Sequence, residues 1–200
     1  MAAGAKWGII DFELKEFIKK PIFREILITV ILGLAIFFAA RAAIQTYEVF
    51  QTSMEPNFYQ GERVVVLKSA YWFGDPQRGD VVICTAPDNS GEEWIKRIIG
   101  LPGDKVRIEE GIVYVNGLAL DEPYVQRTFN YSMSELVVPD GFYFFLGDNR
   151  NVSNDSHRGW WLPRQYVIGK AWLVTWPPSS WGSVPAYSLE EQLLLTAPAG

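Results

Sequence analysis

One run of fifteen residues without a charge, Ile26 to Ala40, resumes past Arg41 as Ala42, Ala43 and Ile44. Such a segment must be covered by other elements or lie in lipid, and that choice constrains the rest of the chain. As a helix the fifteen residues span only about 22 Å, against about 30 Å for a bilayer core. Counting on to Ile44 closes most of the gap, with Arg41 snorkelling to the far headgroups. Lys15, Lys19, Lys20 and Arg24 precede the run, and basic residues on that flank put the N-terminus in the cytoplasm and the remainder outside. Two rival readings rank below the anchor. One is a cleavable signal, with Ala40, Ala42 and Ala43 imitating its processing site; the other is a buried helix of a soluble protein. The expected organisation is a cytoplasmic segment over 1–24, a transmembrane helix over 25–45, a β domain over 46–178 and a C-terminal tail over 179–200.

Charge divides along the same line. Residues 1–44 hold six Lys/Arg against four Asp/Glu, and residues 45–200 hold twelve against nineteen. An acidic outer part argues against nucleic acid as a partner, since phosphate binding needs clustered cations. The single cysteine, Cys84, excludes an internal disulfide. The single histidine, His157, excludes a His-rich metal site.

Beyond residue 50 the pattern is one of strands. Gly61 to Leu67 turns into a β-branched stretch. Asp80 to Cys84, Trp94 to Ile99, Gly141 to Leu146 and Val167 to Thr175 read the same way. Val106–Ile108 and Ile112–Val115 form a hairpin around Glu109-Glu110-Gly111, and Asn116-Gly117 marks another tight turn. No long segment of helical period follows residue 50, although Glu190 to Leu195 reads as a short helical turn. The expected fold is mainly β, a barrel-like antiparallel domain behind one transmembrane helix.

Ser53 follows the apolar run closely, and a hydroxyl is a poor nucleophile until a base takes its proton. His157 lies among charges in Asp155-Ser156-His157-Arg158, where a surface or ion-pair role suits it. Lysine is the alternative base once burial lowers its pKa. Lys96 has apolar neighbours in Trp94, Ile95, Ile98 and Ile99. By alternation it shares one strand face with Trp94, while Ile95 takes the other. The competing reading of Lys96 is a solvated charge at a sheet edge.

Four blocks bear on the choice between these readings. Ser53-Met54-Glu55-Pro56, Arg78-Gly79-Asp80-Val81-Val82, Lys96-Arg97 leading to Gly100-Leu101-Pro102-Gly103-Asp104, and Gly147-Asp148-Asn149-Arg150 leading to Ser153-Asn154-Asp155-Ser156 stand in this order. In order and spacing the set resembles the type I signal peptidases, Ser–Lys enzymes that remove secretory signal peptides. The resemblance covers residues 26 to about 178. It implies Ser53 as nucleophile and Lys96 as general base. It gives Ser153 the role of orienting the lysine amine, has Asp155 and Arg150 brace that loop, and makes Arg97 and Asp148 structural. It implies no cofactor, and it implies secretory preproteins and the lipid bilayer of the cell membrane as partners.

The resemblance also implies an oxyanion hole made by the Ser53 N–H and a second donor two residues earlier. Many members carry Ser or Thr there; this chain has Gln51, whose amide or a nearby backbone group takes that part. At His157 many members have arginine, which leaves the pairing of Asp155 open. An extended substrate is expected to add between residues 48–52 and 93–96 and to be cut after small-x-small sites. Val49, Met54, Phe58, Ile83 and Ile95 are the candidate pocket residues, with core packing as their alternative role. Only about 40 residues separate the last two blocks, so a minimal catalytic core is expected. Sequons at Asn130, Asn151 and Asn154 include two in the site loop, where glycans would block access, so a bacterial membrane fits better. A self-cleaving Ser–Lys repressor would need a DNA-binding module in place of the anchor. A non-catalytic anchored β domain would leave the matched Ser53, Lys96 and Ser153 blocks without a reason.

Overall fold

The computed structural model describes residues 21–185, 187 and 189–196. Most of the expected cytoplasmic segment, residues 1–20, lies outside the described residues. The chain divides into two compact units, Met1–Ala43 and Ile44–Gly200.

In the first unit, helix α1 runs Pro21–Ala43. Its 23 residues span about 34 Å, so the stretch Ile22–Ala43 is long and apolar enough to cross a membrane. Proline starts it, where a missing N–H costs nothing. Arg41 in the last turn complements the negative end of the helix dipole.

The second unit is built from antiparallel strands. The larger sheet comprises β1 (Ile44–Glu48), β2 (Arg63–Leu67), β3 (Val81–Thr85), β4 (Glu93–Gly100), β9 (Phe142–Leu146), β10 (Leu162–Pro163), β11 (Val167–Trp176) and β12 (Gly182–Ser183). Its order is β1-β2-β11-β3-β4-β9-β10, with β12 also on β11. The smaller sheet has order β7-β6-β5-β8, from β5 (Lys105–Glu109), β6 (Ile112–Val115), β7 (Leu118–Ala119) and β8 (Met133–Val137). The expected barrel-like antiparallel fold is present, though among the described residues no pairing joins β1 to β10 and the larger sheet stays open.

Sequence pattern explains which strands sit deep. Val81-Val82-Ile83-Cys84 is apolar without a break, and all four residues are buried. Val81 and Ile83 enter one cluster with Val64, Val66 and Ile95. Val82 and Cys84 enter another with Trp94, Ile98 and Phe145. A strand covered on both faces has no reason to alternate. β5 and β6 alternate instead, sending Val106, Ile108, Val113 and Val115 into a third cluster and their other residues outward.

β4 belongs to more than one of these cores. Its register against β9 shifts between Ile98 and Gly100, a bulge that re-aims the strand. Ile95 faces the first cluster, Trp94 and Ile98 the second, and Ile99 the third. The bulge ends at Gly100, where a Cβ would come within 2.8 Å of Val106 and 2.9 Å of Phe144, so a larger residue there would force the two sheets apart.

Helix α2 (Leu189–Thr196) falls in the segment read as a tail. Its Leu189 and Leu193, one turn apart, are buried in the third cluster.

Candidate active site

β4 pairs with β3 through Lys96↔Val82 and Trp94↔Cys84. Lys96 therefore rises from the middle of a sheet whose neighbouring positions are apolar. It is 1% exposed, and its Nζ lies 2.6 Å from Ser53 Oγ, itself 5% exposed. Burial pushes the amine down from its ordinary 10.5 to about 8, against the opposing charges of Asp155 and Asp148 and the Cys84 thiol. The Lys96 amine also sits 5.3 Å from the centre of the Trp94 ring, on the shared face that alternation predicts. A buried lysine near 8 is partly neutral at neutral pH, and a neutral amine beside a hydroxyl can accept its proton.

Ser53 is fixed from the other side by the loop after β9. Its carbonyl accepts from the Asn149 N–H at 2.9 Å. The Asn149 amide donates to the Thr52 carbonyl at 3.1 Å, and the Asp148 N–H points at Met54 Sδ, 3.4 Å away. At Gly147 a Cβ would run into both the Ser53 carbonyl oxygen and Ser153 Oγ. These two oxygens flank one point of the backbone, so only glycine fits between them.

Asp155 is fully buried. One carboxylate oxygen accepts the Gly147 N–H at 2.9 Å; the other lies 2.6 Å from His157 Nδ1 and also caps the His157 N–H. His157 thus fills the pairing position that the sequence left open, stacked on Tyr131 with ring centres 4.3 Å apart. Arg150 is buried and braces the same loop differently from Asp155. Its Nε donates to the Gly147 carbonyl at 3.1 Å, and its two terminal nitrogens clasp Glu122 at 2.8 and 2.6 Å. Arg97 and Asp148 form a two-pronged ion pair with no exposure on either side chain. Asn57 adds a further donor to Asp148.

Two expected site residues lie at the site with hydrogen bonding other than that expected of them. Ser153 Oγ is buried without a hydrogen-bond partner among the described residues, so its expected bond to Lys96 is not formed. The Gln51 amide donates to Glu92 at 3.3 Å.

The five candidate pocket residues, Val49, Met54, Phe58, Ile83 and Ile95, are all buried in one cluster beneath the site. The open groove beside Ser53, of about 400 Å³, is walled instead by Phe50, Gln51, Thr52, Glu92, Trp94 and Val152, among others. The sequence reading missed Phe50, Glu92 and Val152 as groove residues. Trp94 was within its reach, because alternation already placed it with Lys96.

Two strand edges border this groove. Backbone bonds of Ile98 point toward Asp80 and Gly79, so by alternation those of Lys96 and Trp94 face β3. The N–H and C=O of Ile95 then face away from it, where β9 pairs only from Arg97 onward. Similarly, Val49 bonds to Glu62 and Gly61, leaving the backbone of Glu48 and Phe50 on the outer side.

A buried Ser–Lys pair in an antiparallel β domain is an arrangement suited to acyl transfer, and known proteins place it in a class. The family model described as signal peptidase, peptidase S26 matches residues 22–176. The chain belongs to this family of peptidases. It is 41% identical over 143 residues to a Synechocystis protein named "Probable signal peptidase I-1", covering 68% of this chain and 73% of that one. It is 31% identical over 177 residues to signal peptidase IB of Staphylococcus aureus strain COL, covering 80% and 92%. A crystal structure of a signal peptidase I from Enterococcus faecalis V583 aligns with a TM-score of 0.44 at 32% identity, over 48% of this chain and 96% of that one.

Proposed function

We propose that this peptidase removes N-terminal signal peptides from exported preproteins by Ser–Lys acyl transfer, cutting after small-x-small sites. The observation that carries the reading is the 2.6 Å contact between Lys96 Nζ and Ser53 Oγ in a buried setting. Neutral Lys96 takes the Ser53 proton as Oγ attacks the scissile carbonyl carbon. The resulting oxyanion is held by the Ser53 N–H and by a second donor, for which the Gln51 amide on the groove wall is the candidate. As the C–N bond breaks, the Lys96 ammonium returns the proton to the leaving amine. Lys96 then takes a proton from water as it attacks the acyl-serine, and returns that proton to Ser53 Oγ as the C–O bond breaks and the signal peptide leaves with a new carboxylate. The unpartnered Ser153 hydroxyl is available to orient the lysine between these steps.

The outward backbones of Ile95 and of Glu48 and Phe50 support an extended substrate lying between two edges. The cluster of Val49, Met54, Phe58, Ile83 and Ile95 forms the floor below it and keeps its pockets shallow. Helix α1 anchors the enzyme as a single span in the cell membrane, with the N-terminus in the cytoplasm and the catalytic unit outside. The catalytic unit needs no cofactor for this chemistry.

The test is cleavage of a preprotein carrying an Ala-x-Ala site by detergent-solubilised full-length protein, wild type against Lys96→Ala. Loss of cleavage with the fold intact supports the reading. Cleavage retained by Lys96→Ala would mean a different base, and none by folded wild type on several preproteins would sink it.

A further inference from the structure

The family match ends at residue 176, yet Tyr187 and helix α2 beyond it are seated on the catalytic framework. Leu189 is fully buried, and at Gly79 a Cβ would stand 2.7 Å from the Tyr187 carbonyl. Glu190 accepts from Arg78 Nε at 2.9 Å. Gln192 exchanges two hydrogen bonds with the Asp121 backbone, at 2.9 and 3.0 Å. The Tyr187 ring lies 5.0 Å from that of Tyr124, and the Arg97 guanidinium is 4.1 Å from the Tyr124 ring centre and 5.2 Å from that of Tyr187.

Arg97 adjoins the lysine on β4, donates to the Gly79 carbonyl at 2.9 Å, and grips Asp148. Asp148 adjoins Gly147 and contacts Met54, next to the serine. One ion pair therefore joins the strand of the base, the loop of Ser153 and the turn of the nucleophile. A buried ion pair holds its geometry only where water is kept out and each charge has further partners. On the Arg97 side those partners are the Gly79 carbonyl and two ring faces, and one of the rings comes from beyond the family match.

We propose that Tyr187 is a positioning residue of the catalytic centre. Docking of Tyr187, with helix α2 behind it, closes the cage around Arg97–Asp148 and so sets the relative placement of Ser53, Lys96 and Ser153. The activity readout of this proposal rests on the peptidase reading above; its structural readout does not.

The experiment uses the full-length protein in detergent, comparing wild type with Tyr187→Ala, Tyr187→Phe and Tyr187→Leu. Tyr187→Ala is expected to lower kcat about tenfold with KM unchanged, the size of a desolvated cation–ring contact expressed as a rate. Tyr187→Phe keeps the ring face and stays within about twofold of wild type. Tyr187→Leu fills the space without a π face and behaves like the alanine variant, so it decides the matter if Tyr187→Ala fails to fold. Amide hydrogen exchange across residues 147–153 is expected to rise in the alanine and leucine variants and not in Tyr187→Phe. That readout stands even if wild type cleaves no preprotein. A lower Tm with unchanged kcat and unchanged exchange in 147–153 would overturn the proposal and leave α2 a purely stabilising element. A Tyr187→Phe variant as impaired as Tyr187→Ala would overturn it too.

Discussion

Replacing Lys96 with methionine should make the protein more stable while abolishing its activity. Lys96 is 1% exposed and its amine is pushed from 10.5 to about 8. Each factor of ten in proton affinity is worth about 1.4 kcal/mol, so burying the charged lysine costs the fold about 3 kcal/mol. Methionine has similar length and no charge, and it forfeits the hydrogen bond to Ser53, worth about 1 kcal/mol. The expected net gain is about 2 kcal/mol at pH 7, or roughly 4–8 °C in Tm for a unit of this size. The sign of the pH dependence follows from the proton count. Below pH 8 the lysine is protonated both folded and unfolded, and the cost is constant. Between 8 and 10.5 the unfolded chain binds more protons, so wild-type stability rises with pH relative to the variant. Above 10.5 both states are neutral and the cost is gone. The methionine variant's advantage should therefore be full at pH 7 and shrink to nothing, or slightly reverse, by about pH 10.5. Thermal unfolding of both proteins in the same detergent, followed by near-ultraviolet circular dichroism across that range, reads the difference directly. A gain independent of pH, or a loss at pH 7, would refute the argument that burial alone depresses the lysine.

The remaining predictions concern the same centre. The acid limb of kcat/KM should have its midpoint at about pH 8, where Lys96 loses its proton, and initial rates from pH 5 to 10 will locate it. Gly147→Ala should cost at least about 10²-fold in kcat, because a methyl there drives Ser53 and Ser153 apart from their present positions; preprotein cleavage by folded variant measures this. Arg150→Met should lower stability by about 3 kcal/mol by stranding the Glu122 carboxylate, and adding Glu122→Gln should recover most of it, as denaturant unfolding would report.

Much of the fold was legible because hydrophobic period and burial follow one another. The unbroken run at 81–84 became a central strand, and the hairpin at 106–115 was marked by Gly111 and Asn116-Gly117. Ser53 and Lys96 were legible as types of chemistry in recognisable blocks, and Lys96 as a strand residue sharing a face with Trp94. What the sequence did not reveal were contacts between distant positions: Arg78 with Glu190, Arg150 with Glu122, and the Gln51 amide with Glu92. A charged residue carries no local sign of which opposite charge will be brought to it. The pocket residues illustrate the same limit. Alternation places Ile95 on the face opposite Lys96, but only the assembled sheet decides whether that face lines the groove or the core. The short helical turn read at Glu190 to Leu195 is present as Leu189–Thr196, but nothing local in so brief a stretch announced that Leu189 and Leu193 would be buried against the catalytic unit.

The edge of β4 at residues 93–96, beyond the reach of β9, has a cost. An open strand edge invites any extended chain, including the same edge of a neighbouring copy or a spent product. The rim of that edge carries Glu92 and Glu93, both exposed, with Glu48 on the facing edge. Like charges brought edge to edge repel, so these carboxylates guard against self-association while leaving the gap open to an uncharged peptide. The higher the local concentration of the chain, the more that protection matters.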